Sequence, residues 1–181
     1  LKHKWLVGTG ILLVLFWTLL ILFFSSQPSE ASHEQSGAFV KLYDAANQVF
    51  RFNENPVLNR IENFVYMDLL EGKYLSTNAK IRKLAHFTLY GVLGGLTTLV
   101  AYVISTYLNW QKAKWFLSLI SGILFPLIIA ALDELNQSRL DRTSSLSDVL
   151  LDGGGAVCGT MLVLVFISGF NAFAVYIKKR K

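Results

Sequence analysis

The 181 residues include a single cysteine, so no internal disulfide and no cysteine-based zinc site can form. Charge is scarce: 16% of the residues are Asp, Glu, Lys or Arg, against about 25% in a typical soluble domain. Neither Gly-x-Ser-x-Gly nor His-Glu-x-x-His occurs, which removes the nucleophile elbow and the helical zinc-protease signature. Gly153–Gly155 is not followed by Gly-Lys-Ser/Thr, so it is no phosphate loop. The stretch Ser138–Asp152 has Ser-Arg and a later Asp but lacks the histidine of a lipid-phosphatase motif. There is no internal repeat and no low-complexity tract. What is abundant is hydrophobic surface, 53% of the residues with mean hydropathy +0.45. It is gathered into four long blocks. That excludes a disordered chain and argues against an ordinary soluble enzyme.

A bilayer core of about 30 Å takes about 20 apolar residues as helix. The blocks predict spans at about 5–24, 84–107, 115–132 and 149–177 within a single domain over 1–181. The first reads as a span and not as a cleavable signal, because its apolar run is long and no small-residue cleavage site follows Phe24. Pro126 interrupts the third. The net charge of +5 sits beside apolar blocks, which points to membrane orientation and not to nucleic acid. Lys2 and Lys4, Lys112 and Lys114, and Lys178–Lys181 fall on one side of a four-span chain. That side is expected to be cytoplasmic, with both termini, at the plasma membrane. Residues 25–80 would then form an outer loop. Phe39, Leu42, Tyr43, Ala46, Val49 and Phe50 repeat at helical spacing, as do Val57, Leu58, Ile61, Phe64, Val65 and Leu69. They predict two amphipathic helices, either on the interface or as an independent hairpin. Ser76, Thr77 and Asn78 are candidate caps before the second span. The fold expected is therefore all-α: a polytopic membrane four-helix bundle with a largely helical extracytoplasmic loop.

Polar groups inside membranes are costly and mark functional or packing sites. Here they converge at the outer ends of the spans. Lys83, His86 and Tyr90 are i, i+3, i+7; Asp133 and Gln137 are i, i+4; Ser145, Asp148 and Asp152 are i, i+3, i+7. Gln27 and Glu134 fall at the same depth. Arg82 and Lys83 at a helix start, and Asp133 and Glu134 at a helix end, oppose the macrodipoles. Juxtaposing them relieves both, which predicts a Lys83–Asp133 or Lys83–Glu134 pair. The alternative is that Arg82 and Lys83 bind lipid phosphate. His86 could act as a general base oriented by a carboxylate, or only tie helices together through Tyr90 or an acid. Asp148 could be a ligand group or a helix cap. Arg142, followed by three hydroxyl residues, suits an anion, whereas Arg139 and Arg142 could equally be loop charges. Gly91 with Gly95, and Gly155 with Gly159, permit close helix approach or reflect ordinary membrane glycine content. The four tryptophans suit interfacial belts and Cys158 suits packing.

Four pieces of the sequence resemble the VanZ family of small bacterial membrane proteins. They are Ser25-Ser26-Gln27-Pro28, Lys83-x-x-His86-Phe87-x-x-Tyr90-x-x-Leu93, Asp133-Glu134-x-x-Gln137, and Arg142…Ser145-x-x-Asp148-x-x-x-Asp152-x-x-Gly155-x-x-x-Gly159. They occur in order through all four spans. The resemblance implies a polytopic plasma-membrane protein, often of Gram-positive bacteria. The founding type lowers susceptibility to teicoplanin-like lipoglycopeptides. No catalytic role carries over. What carries over is the polar set Gln27, Lys83, His86, Tyr90, Asp133, Glu134, Gln137, Arg142, Asp148 and Asp152.

Two functional readings follow. In the first, an outer-leaflet polar site binds a lipid-linked wall precursor or a lipoglycopeptide. Lys83 and Arg142 would hold the anion, with Ser145 among the lining residues, while His86, Asp133 and Glu134 set the hydrogen bonding. In the second, a membrane-embedded enzyme acts on a lipid or lipid-linked substrate. His86 or Glu134 would be the base, Asp133 a further catalytic candidate, and the Asp cluster an acid–base or metal site. A transporter is disfavoured, because the inner half offers no polar path in a monomer. Membrane lipids are the expected partners, no cofactor, resident metal or nucleic acid is called for, and a homo-oligomer stays open.

Overall fold

The computed structural model describes residues 2–27, 77–137 and 146–180, and the isolated positions 37, 40, 41, 45, 48, 54–57 and 60. Long helices account for nearly all of it: α1 Lys2–Ser25, α2 Thr77–Tyr107, α3 Lys114–Gln137 and α4 Leu146–Lys179. Among the described residues there is no strand. Each helix is long and apolar enough to cross a membrane. Helix is the form such segments must take, since no water is present in the hydrocarbon to satisfy the backbone. The expected amphipathic helices at Phe39–Phe50 and Val57–Leu69, and the cap Ser76, lie outside the described residues except for Val57 and a few isolated positions.

Two boundaries differ from the apolar runs. α2 starts at Thr77, well ahead of Leu84, and α3 continues past Leu132 to Gln137. Ala79, Lys80, Arg82 and Lys83 in the one extension, and Glu134, Leu135 and Gln137 in the other, are good helix formers and carry the helices beyond the apolar stretch. Pro126 does not interrupt α3, which runs unbroken through it. α4 has 34 residues, about 51 Å of helix at 1.5 Å per residue, so it exceeds the roughly 30 Å of one hydrocarbon core.

The buried stripes of α3 and α4 are made of small and polar side chains. In α3 they are Ser118, Gly122, Pro126, Ala130, Asp133 and Gln137; in α4, Asp152, Gly155, Ala156 and Thr160. Most large apolar side chains point outward, Phe16, Leu132, Phe166 and Phe170 among them, while Ile21, Tyr90 and Leu93 are buried. This inverts a water-soluble core. Lipid is as apolar as leucine, so association rests on close backbone packing and interhelical hydrogen bonds.

The most intimate contact is between α2 and α4, which run parallel. A Cβ on Gly155 would strike the backbone of Phe87, and one on Gly159 the backbone of Gly91. A Cβ on Gly94 would meet the Ala156 backbone, 2.9 Å from its Cα. Gly91, Gly155 and Gly159 thus form a glycine seam with a constant register. Here the small-residue pairs noted in the sequence hold helices together. Gly122 of α3 abuts the hydroxyls of Thr98 and Thr160, which lie 3.2 Å apart. The mid-bundle therefore holds a small hydroxyl contact among its apolar residues. Thr98 and Ser118 donate to the carbonyls of Gly94 and Lys114 one turn back, at 2.7 and 2.6 Å.

α1 lies against α2 and the end of α3. Val14, Thr18, Ile21 and Ser25 form its buried stripe. Trp17 Nε1 donates to the Leu89 carbonyl at 3.0 Å. At the opposite end, α2 stops in a Schellman cap. Asn109 takes the left-handed conformation with φ 59°, Trp110 N–H donates to Ser105 O at 2.8 Å, and Asn109 N–H to Thr106 O at 3.2 Å. The short connection that follows reverses the chain into α3.

Candidate functional site

The last turn of α1, the start of α2, the end of α3 and the start of α4 meet at one end of the bundle. Three sets of contacts join them.

The first links α1 to α3. Ser25, 1% exposed, donates its hydroxyl to Asp133 Oδ2 at 2.6 Å. Gln137, one turn beyond Asp133, donates its amide to the same carboxylate oxygen at 3.1 Å and also to Ser25 Oγ. The polarity is self-consistent: the serine accepts from the amide and donates to the acid.

The second is an ion pair between Lys83 of α2 and Asp148 of α4, both half-buried. This corrects the expected pairing of Lys83 with Asp133 or Glu134. The dipole argument assumed that Lys83 opens its helix. With α2 starting at Thr77, Lys83 lies beyond the first turn, where the dipole effect has decayed. The glycine seam turns that face of α2 toward α4. Asp148 in turn lies in the first turn of α4, where an acid is favoured. Asp133 is already served by Ser25 and Gln137.

The third joins α2 to α4 deeper in the bundle. His86 Nδ1 lies 3.6 Å from Asp152 Oδ2, an ion-pair distance longer than a hydrogen bond. The His86 ring is stacked with the Tyr90 ring, with centroids 6.4 Å apart and planes 22° apart. Tyr90 is fully buried, and Asp133 and Asp152 nearly so. The Tyr90 hydroxyl lies among the carboxylates of Asp133, Asp152 and Glu134, with Asp133 in hydrogen-bonding reach.

Of the sequence candidates, Lys83, His86, Tyr90, Asp133, Gln137, Asp148 and Asp152 come together in this way, and Glu134 is half-buried beside Asp133. Gln27 is different: it lies off the buried stripe of α1, and its amide bonds back to the Phe23 carbonyl at 3.4 Å. Ser25 occupies the place foreseen for Gln27. The signal was present, since Ser25 continues the spacing of Val14, Thr18 and Ile21. Arg142 and Ser145 lie outside the described residues. Cys158, expected to pack, is instead exposed, because it faces away from the Asp152–Ala156–Thr160 stripe of α4. Among the described residues no three His, Cys, Asp or Glu side chains are grouped to hold a metal ion.

Chemically the end is rich in acceptors. Among the described residues, three buried atoms there are left without a hydrogen-bond partner: Tyr90 Oη, Asp133 Oδ1 and Asp152 Oδ1. Leaving a buried polar group unmet costs about 1–3 kcal/mol. The model of the VanZ/LLP1 family matches residues 10–167 of the chain, which takes in all three sets of contacts. No curated protein and no solved structure gives a significant match.

Proposed function

The chain belongs to the VanZ/LLP1 family, and from that premise we propose that it is an envelope protein of the plasma membrane that binds an amphiphilic or lipid-linked ligand at its polar end. The polar end faces outward, and both termini are cytoplasmic. Ligands of this class include lipid-linked wall precursors and teicoplanin-like lipoglycopeptides, and binding lowers susceptibility to the latter in a Gram-positive host. The observation that carries this reading is the union of Ser25, Lys83, His86, Asp133, Asp148 and Asp152 from separate helices at one bundle end. Polar groups held at such a depth are expected to serve a ligand.

The test expresses the chain in a susceptible Gram-positive strain and measures the teicoplanin concentration that stops growth. An increase that His86→Ala or Asp152→Asn removes, at equal protein level, supports the proposal. An unchanged inhibitory concentration, with no lipid-linked precursor retained on the purified protein, refutes it.

A second reading, a membrane-embedded enzyme, is favoured by one observation: the His86–Asp152 pair has the layout of a base and its orienting acid. It predicts a lipid-extract product that appears with the protein and disappears with His86→Ala. Identical extracts with and without the protein count against it.

A further inference from the structure

The end of the bundle opposite the polar site carries charge of one sign only. Every Asp and Glu of the chain falls in 30–71 or 133–152, stretches that border the polar end. Residues 1–29, 72–132 and 153–181 hold none. Lys or Arg stands at positions 2, 4, 112, 114 and 178–181, where α1 begins, α2 turns into α3 and α4 ends. These cations have no carboxylate at their own end.

Within that field one set of side chains is ordered across three helices. Lys114 of α3 lays its ammonium over the Tyr102 ring of α2, 5.1 Å from the centroid, and donates to the Tyr102 hydroxyl oxygen at 3.4 Å. Asn171 of α4 donates its amide to the same oxygen at 3.0 Å. Trp115 packs edge-on against the ring, with centroids 5.4 Å apart. The phenol oxygen thus receives two donors, and its own proton goes to no acceptor among the described residues. What the set offers a ligand is that O–H, the other N–H groups of Lys114 and Asn171, and a positive charge.

Its depth narrows the choice of ligand. Tyr102 lies about 24 Å along α2 from His86, and Asn171 about 28 Å along α4 from Asp152, at 1.5 Å per residue. That is close to one hydrocarbon thickness of about 30 Å, so the set stands at the headgroup boundary remote from the polar site. Asn171 is exposed, and so are Phe170 and Phe173 on α4 and Phe116 on α3. The complement is a group with negative charge and acceptor oxygens joined to an apolar body. A phosphodiester supplies the first two, and acyl chains cover the phenylalanines. A zwitterionic phospholipid would bring a second cation toward Lys114, and a soluble anion would leave the apolar surface bare.

We propose that Tyr102, Lys114 and Asn171 form a headgroup site for an anionic phospholipid in the leaflet at this end of the bundle. The site is separate from the polar end and independent of the ligand proposed there.

The test gives the purified full chain equal amounts of phosphatidylglycerol and phosphatidylcholine with identical acyl chains. Loose lipid is stripped with detergent, and what stays is counted by native mass spectrometry. One phosphatidylglycerol is expected to remain, at about ten times the occupancy of phosphatidylcholine, and Lys114→Gln is expected to remove about that tenfold preference, the loss that one charged hydrogen bond produces. Lys4→Gln takes a charge from an exposed position at the same end but outside the set, and should leave retention within about twofold. Asn171→Ala, also at an exposed position, should lower retention about threefold, and it decides the matter if Lys114→Gln does not fold. Three results overturn the proposal. Equal retention of both lipids denies an anion site. Equal losses in Lys114→Gln and Lys4→Gln leave only diffuse attraction to a basic end. Displacement of the lipid by an equal concentration of its deacylated headgroup, glycerophosphoglycerol, makes the occupant a soluble anion.

Discussion

Ser25 and Asp133, 108 positions apart in the chain, meet in a buried 2.6 Å hydrogen bond. It ties the end of α1 to the end of α3 and fixes which oxygen of Asp133 is left for other use. Replacing Ser25 with Ala leaves that carboxylate with only the Gln137 amide. The expected loss is about 1–3 kcal/mol, seen as a lower unfolding midpoint in detergent, and an unchanged midpoint would mean that the contact contributes nothing.

The Lys83–Asp148 pair is expected to be energetically coupled. A double-mutant cycle with Lys83→Met and Asp148→Asn should give about 1 kcal/mol or more, because both groups are half-buried. The same cycle run between Lys83 and Glu134 should give well under that. Equal coupling for the two cycles would restore the pairing first expected from the sequence.

The glycine seam makes a sharper distinction. Gly159→Ala should destabilise the bundle by about 1–3 kcal/mol, since its Cβ would meet the Gly91 backbone. Gly169→Ala, on the same helix with nothing near its Cβ, should be neutral or slightly stabilising by helix propensity. Steric-trapping or denaturant unfolding of the two variants compares them directly, and equal effects would argue that α2 and α4 do not touch through these residues.

Trp17→Phe keeps an aromatic ring against α2 but removes the donor to the Leu89 carbonyl. A loss of about 0.5–1.5 kcal/mol is expected. Trp5→Phe, exposed on the same helix, should lose nothing. If both variants unfold like the parent, Trp17 acts only through its apolar surface.

Much of this architecture was legible in the sequence. The four spans follow from hydropathy and length, and the polar end follows from where Lys83, His86, Asp133 and Asp152 fall at the ends of those spans. What escaped was pairing. Which acid Lys83 meets depends on where α2 begins, and the apolar run marked Leu84 whereas the helix starts at Thr77. Gln27 stood out as the more polar residue, yet helical phase gives the buried place to Ser25. Glycine spacing suggested close packing, but the partner of each glycine is a property of register between two helices, which no single segment encodes. Cys158 misled because an apolar stretch of a spanning helix does not say which of its faces meets the other helices, and the direction of Cys158 on α4 is outward.

The backbone-to-backbone approach of α2 and α4 has one more consequence. Phe87 and Gly155, in contact across it, lie next to His86 and within one turn of Asp152. The backbone positions from which that pair projects are therefore held by main chain on main chain. A ligand of the class proposed would meet helices already fixed in register, so little backbone ordering entropy would be lost on association. For such a ligand the helix backbones form a fixed frame, and any adaptation falls to the side chains that project from it.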